Sequence, residues 1–275
     1  MPATPDWHPT RYLASLYSPP SERPVLDALF GIESEIVASL QGGLDHNVAH
    51  VRLQWWREEC ERVSKGTPAH PLSRTLVAAF TGTTKLAGLS GFVDVAVWDL
   101  ASATFENRHE LTAYCERWAA AMMVPAAAHA APSEHGDRIW LALGSTMHEI
   151  EMLVNLASEA HSGRLRLPLD EIERAGAGPD GLAITPWPAS IASILSERHR
   201  ILRSLLADSV RSIDRGDQAA LRGLLVWVAL AWRRSEQAQA ALPNPRVPRR
   251  FDSLAEGWLA WRAARLSMAG NFAFT

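Results

Sequence analysis

Residues 52–76 read RLQWWREECERVSKGTPAHPLSRTL, an amphipathic helix followed by a Gly/Pro break. Val48, Val51, Trp55, Cys60 and Val63 recur every three to five residues, close to one face of a helix. Arg52, Glu58, Glu59 and Glu61 occupy much of the remainder, as an amphipathic helix requires. KGTPAHP, residues 65–71, then breaks the periodicity with Gly and Pro.

The same pattern extends outward in both directions. Residues 21–40 read as a helix, with Ser21 as candidate N-cap and Gly42-Gly43 as its stop. Residues 109–123 are Ala-rich and helical up to Pro125, and residues 137–157 keep apolar positions at helical spacing. Two long helices are predicted over 190–215 and 218–242, split by Gly216. A last helix covers 253–268, with Trp258 and Trp261 on adjacent faces. The breaks between them are short, the longest being GAGPDGLAITPWP at 176–188. No strand-like alternation and no internal repeat stand out, and no break is long enough for an interdomain linker. The expectation is one all-α domain over residues 1–275, built from eight to ten helices.

The composition bounds the function. Hydrophobic residues make up 47% of 275, enough for a sizeable core, and charged residues 21%. A net charge of −3 argues against a general nucleic-acid binder. Local basic clusters at Arg233-Arg234, Arg246 and Arg249-Arg250 could meet phosphates or anionic lipid. Two cysteines, Cys60 and Cys115, lie far apart outside any CxxC, so neither a disulfide framework nor a thiolate zinc site is expected. The N-terminal residues hold no apolar signal-peptide core, and a reducing, cytoplasmic setting is the expectation. The most apolar run, LLVWVALAW at 224–232, is far short of the roughly 20 residues that span a bilayer. It reads as a buried helix, compatible with lining a greasy pocket. Peripheral contact with the inner membrane stays open, although no amphipathic segment is basic enough to demand it.

Local motifs for other chemistries are weak. His46 and His50 stand four apart, a spacing for two metal ligands, but no third ligand is evident, and a surface role is favoured. HEIEM at His148 lacks the second histidine of HExxH. There is no GxSxG, Walker loop or GxGxxG. The eleven tryptophans, Trp55-Trp56 among them, read as core packing, with pocket lining as the sharper alternative.

With its RLQWWRE followed by G-x-P-x-HP, residues 52–76 resemble the squalene/phytoene synthase family. Other segments agree in order: RYLASLYSPPSERPVLDALFGIESEI with the family's first helix pair, and FVDVAVWDL then LTAYCERWAAAM with its central helices. NLASEAHSGRLRLPLDEI resembles the segment around the second aspartate-rich motif, and PRVPRRFDSLAEGWLAWRAARL the C-terminal helix. The resemblance implies an isoprenoid-synthase-like helical bundle around a central apolar pocket. It also implies head-to-head joining of prenyl diphosphates, with magnesium held by two aspartate-rich motifs on facing helices. Within the family, DALFGIESEI, HVRLQWWRE and VDVAVWDL are most similar to a divergent branch. That branch includes the respiratory complex I assembly factor 6-like proteins, whose motif aspartates are lost.

Magnesium chemistry needs those carboxylates, because the ion takes oxygen ligands in octahedral geometry and stabilises the departing diphosphate. On the first helix the acidic cluster should fall at 37–40, which are Val, Ala, Ser and Leu here. After Asn155, where an arginine and two aspartates are expected, LASEAHS leaves Glu159 as the sole acid before Gly163. Acid pairs at i,i+4 occur at Glu106/Glu110 and Asp252/Glu256 alone, and read as helix-start acids facing the dipole.

The expectation is therefore a synthase-like protein that has lost metal-dependent prenyl transfer. It would bind an isoprenoid diphosphate or lipid, or a protein partner. No catalytic or metal-ligating residue is assigned, and no cofactor. Arg52, Trp56, Asn155 and Arg164 match the resembled motifs and are the candidate ligand-binding residues. Guanidinium forks at Arg52 and Arg164 could grip a phosphate without metal, though surface or capping ion pairs would explain them as well. The alternative is an active head-to-head prenyltransferase that uses Mg²⁺ with Glu33, Glu35 and Glu159 as replacement acids. A hydrolase on the same scaffold is a third reading.

Overall fold

The computed structural model describes residues 9–40, 45–131, 136–178, 182, 184–245 and 253–274. Arg246, Arg249, Arg250, Asp252 and the Gly42-Gly43 pair lie outside the described residues.

Among the described residues the chain is helical and holds no strand. The helices are α1 (Pro9–Tyr17), α2 (Arg23–Ala38), α3 (His46–Ser64), α4 (Pro71–Ala79), a 3₁₀ helix (Thr84–Ser90), α5 (Gly91–Leu100) and α6 (Arg108–Ala130). There follow α7 (Arg138–His161), α8 (Leu169–Arg174), α9 (Ala189–Arg211), α10 (Arg222–Ala241) and α11 (Ser253–Met268). The count exceeds the eight to ten expected because short α4 and α8 are helices in their own right.

The bundle centres on α6, α7 and α10. α6 and α7 pack along each other, α9 and α10 cover α7, and α1 lies on α10 and α11. The apolar run of α10 is buried from Leu224 through Ala231, the burial the sequence predicts. No helix among the described residues is long and apolar enough to cross a membrane. Both cysteines are buried and unpaired.

Several boundaries and faces differ from the sequence reading. α2 starts at Arg23 rather than Ser21; Glu22 holds the N-cap position without a side-chain cap, and the Ser21 hydroxyl donates to Glu22 instead. α6 does not stop at Pro125 but runs through it to Ala130. A proline costs the helix one N–H bond, and here Met122, Met123, Val124, Ala126 and Ala127 are all buried around it, so packing carries the helix on.

The face of α3 is rotated by about one residue (roughly 100°). The buried set is Ala49, Leu53, Trp56, Cys60 and Val63, while Val48, Val51 and Trp55 are exposed. The cause is Glu59, whose fully buried carboxylate accepts the backbone N–H groups of Ala69 at 2.9 Å and His70 at 2.8 Å at the start of α4. Arg62 donates to the same carboxylate at 2.7 Å. A polar residue that caps a neighbouring helix belongs on the inner face, and the sequence pattern assigns it outside.

Candidate functional site

The inner face of α7 carries His148, Glu151 and Asn155 at helical spacing. Opposite stand Glu33 on α2, Trp118 on α6, Trp227 and Arg234 on α10, and Arg11 on α1. A cavity of about 180 Å³ opens among Thr10, Arg11, Glu151, Asn155, Trp227 and Arg234, with Ile150, Val154 and Ala231 completing its wall. Polar and apolar side chains share its wall.

Arg11 organises this cavity. Its two terminal nitrogens lie 2.8 and 2.9 Å from the two Glu33 oxygens, and one also lies 3.8 Å from Glu151. The guanidinium sits 5.7 Å from the ring centroids of both Phe30 and Trp227, within reach of their π faces. The indole N–H of Trp118 donates to Glu33 at 2.8 Å, and that of Trp227 to Glu151 at 3.1 Å. Two carboxylates on facing helices are thus joined by one protein cation and held by two indoles. Burial raises the Glu151 pKa most, Glu33 adds to the rise, and Arg11 and the Trp227 bond oppose it.

His148 stacks on Trp118 at 4.5 Å and also on Tyr114 at 5.6 Å, and neither of its buried ring nitrogens has a hydrogen-bond partner. Burial, aided by Arg11 and Arg166, drives its pKa down to about 3, so the ring is neutral at ordinary pH.

Further along α7 a second ionic group forms. Arg166 donates to Asp99 at 2.7 Å and Glu159 at 3.3 Å, and Asp99 accepts the Tyr114 hydroxyl at 2.9 Å. Arg164 stands 3.7 Å from the same Glu159. A third group, Arg108 and Arg198 with Glu149 and Glu171, ties α6, α7, α8 and α9 together. It is structural: each buried carboxylate has its guanidinium.

Of the four residues singled out from the sequence, Asn155 lines the cavity, and its amide donates to the Glu151 backbone carbonyl at 2.9 Å. Arg52 is exposed on α3, Trp56 is buried against His70 at 4.9 Å, and Arg164 stays half-buried beside Glu159. The cavity does not gather these three with Asn155. His46 and His50 are exposed with ring nitrogens 3.1 Å apart. The sequence reading missed Arg11, Glu151, Trp118 and Trp227. A signal was present for one of them: Glu151 precedes Asn155 by one helical turn.

A family model described as squalene/phytoene synthase matches residues 7–250. The chain belongs to the squalene/phytoene synthase family. Among solved structures, a dehydrosqualene synthase in complex with ligand is similar at TM-score 0.74 and 14% identity, covering 94% of this chain and 92% of that one. The squalene synthase HpnC from Alicyclobacillus acidocaldarius is similar at TM-score 0.68 and 14% identity, covering 85% and 89%. At that identity they establish a shared fold. No curated protein sequence matches the chain.

Magnesium is the cofactor that the squalene/phytoene synthase family implies, so the residues present must be tested for fit. They do not fit. Among the described residues, no three His, Cys, Asp or Glu side chains come together as metal ligands. Glu33 is taken by Arg11 and Trp118, Glu159 by Arg166, and Glu35 faces solvent. A guanidinium between carboxylates supplies the neutralising charge that a divalent ion would supply, and it offers no open coordination position.

Proposed function

We propose that this member of the squalene/phytoene synthase family binds an isoprenoid or related lipid and does not join prenyl diphosphates. One observation carries the reading: Arg11 bridges Glu33 and Glu151, the carboxylates that face each other across the bundle. Ionising an allylic diphosphate needs cations aimed at the departing oxygens. Arg11 is engaged by two carboxylates and Arg234 by Glu256 at 3.0 Å. A neutral polar end of a ligand, such as a hydroxyl, is better matched to Asn155 and Thr10 than a diphosphate is. The cavity volume of about 180 Å³ suits the end of such a ligand rather than its whole length. Arg52 and Arg164 remain candidates for a phosphate at the surface. No metal cofactor takes part in this reading.

The divergent wording of DALFGIESEI and HVRLQWWRE supports placement beside the complex I assembly factor 6-like branch. That extends the proposal to a protein partner and to a cytoplasmic protein peripheral to the inner membrane. The alternative, an active head-to-head prenyltransferase, is favoured by the breadth of the family match over residues 7–250.

The test has two arms. Mass spectrometry of ligands retained through purification should find a neutral isoprenoid or lipid. Incubation with farnesyl and geranylgeranyl diphosphate should release no pyrophosphate above the uncatalysed rate, with or without Mg²⁺. Magnesium-dependent turnover would establish the alternative.

A further inference from the structure

α11 exposes Leu254, Trp258, Trp261, Arg265 and Met268, positions that recur every three or four residues along one outer face. The four apolar members are 89%, 57%, 50% and 52% exposed, which makes this a continuous apolar stripe rather than a scatter of single residues. Beside it lies a groove of about 370 Å³ between α10, α11 and residues 272–274. Trp258 belongs to both, so the apolar surface continues from the stripe into the groove.

The charges on this helix are sorted by sign. α11 carries three charged residues, Glu256, Arg262 and Arg265. Glu256 is buried and turned inward to Arg234 at 3.0 Å. The guanidinium of Arg262 lies 5.4 Å from the Trp258 ring centroid and that of Arg265 5.7 Å from Trp261. The one acid at the groove on α10, Glu236, is already met by Arg233 at 3.3 Å and the Trp232 indole at 3.1 Å. Sequence counting sets Glu256 against the arginines and makes the helix look weakly basic. The fold removes that acid and leaves an outward face with cations alone.

We propose that the outer face of α11 docks on an anionic lipid bilayer, with Trp258 and Trp261 at headgroup depth and Arg262 and Arg265 on lipid phosphates. Tryptophan concentrates at membrane–water interfaces because one end of its ring system is apolar and the other donates a hydrogen bond. A helix lying in that plane needs an apolar face flanked by basic residues, and α11 supplies both. Charge argues for lipid over a second copy of this chain. A two-fold contact would set the arginines of one face against the same arginines of the other, with no outward acid on the helix to relieve them. The proposal takes up the membrane contact named above and is independent of what the central cavity holds.

Sedimentation of the full chain with vesicles tests it. The protein should bind phosphatidylcholine–phosphatidylglycerol vesicles and bind phosphatidylcholine alone far less. The Arg262→Gln/Arg265→Gln pair should lose about thirtyfold in partitioning to the anionic vesicles, from roughly fivefold per arginine. Trp258→Ala/Trp261→Ala should lose binding to both, with unchanged helicity, since both rings are half or more exposed. The arginine pair keeps the test decisive should the tryptophan pair fail to fold. Wild-type protein that ignores both vesicles overturns the proposal. So does an unaltered tryptophan pair, or a dimer that the tryptophan pair dissolves.

Discussion

A buried glutamate, Glu59, and a half-buried one, Glu151, respond to their surroundings in opposite directions. Burial alone would raise the Glu59 pKa, but the His70 N–H, Arg62, Ser73 and the Ala69 N–H outweigh it and bring the value below the ordinary 4.5. For Glu151 burial wins, with Glu33 reinforcing it, and the value rises above 4.5. For Glu59 the unfolded chain binds more protons, so its stabilisation is full above 4.5 and is lost as pH falls through the lowered folded value. For Glu151 the folded chain binds more protons, so stability falls as pH rises from 4.5 through the raised folded value. Glu59→Gln should therefore cost about 2–4 kcal/mol at pH 7, as the buried charge-assisted bonds to Arg62 and to the His70 and Ala69 N–H groups are weakened, leaving Arg62 with Glu58 at 3.9 Å. Glu151→Gln should be neutral to slightly stabilising at pH 7, because the amide oxygen can still accept from Trp227. Urea unfolding of both variants from pH 3 to pH 8 checks the pair, and both differences should shrink at the acid end. A large loss for Glu151→Gln at pH 7 would show that Arg11 depends on Glu151 more than on Glu33, which lies nearer to it.

At the level of elements, α1 brings Arg11 to the cavity, and its seat on α10 depends on Gly223. A Cβ there would meet Ser18 Oγ at 1.8 Å and the Ala14 carbonyl oxygen at 2.7 Å. The Arg222 guanidinium fastens the same end of α1 by donating to the Tyr17 carbonyl at 2.8 Å. Gly223→Ala should push α1 away and cost about 1–3 kcal/mol. Gly257, within α11, has open space around its Cβ position, and Gly257→Ala should stabilise by about 0.5–1 kcal/mol. Unfolding midpoints in urea distinguish the two, and similar effects would refute the packing argument. Helices as elements were legible in the sequence from apolar spacing, from the Ala content of residues 109–123 and from the continuous apolar run at 224–232. Their faces were less so: α3 carries Glu59 inside, where its capping partners Ala69 and His70 are ten and eleven residues on. Pro125 misled in a similar way, since local propensity says stop and the buried side chains around it say continue.

For the whole molecule, the order of segments along residues 7–250 was enough to place the fold, and the missing aspartates were readable as absences. What stands in their place was not. Arg11, Glu33, Trp118, Glu151 and Trp227 come from five helices spread over most of the chain, and no local spacing links them. Under the proposed function, their arrangement decides which ligand the bundle can stabilise. A prenyl diphosphate would add negative charge beside Glu33 and Glu151, whose nearby cation Arg11 is already engaged; a neutral isoprenoid adds none. A ligand at a hundredfold its Kd stabilises the folded chain by about 2.7 kcal/mol, which for a protein of this size is a Tm rise of roughly 5–10 °C. Farnesol or geranylgeraniol should produce such a rise equally with Mg²⁺ and with a chelator. Farnesyl diphosphate should produce little in either condition. A rise that needs both the diphosphate and Mg²⁺ would mean that cation ligands form when substrate enters, and that Arg11 gives up its carboxylates to let them.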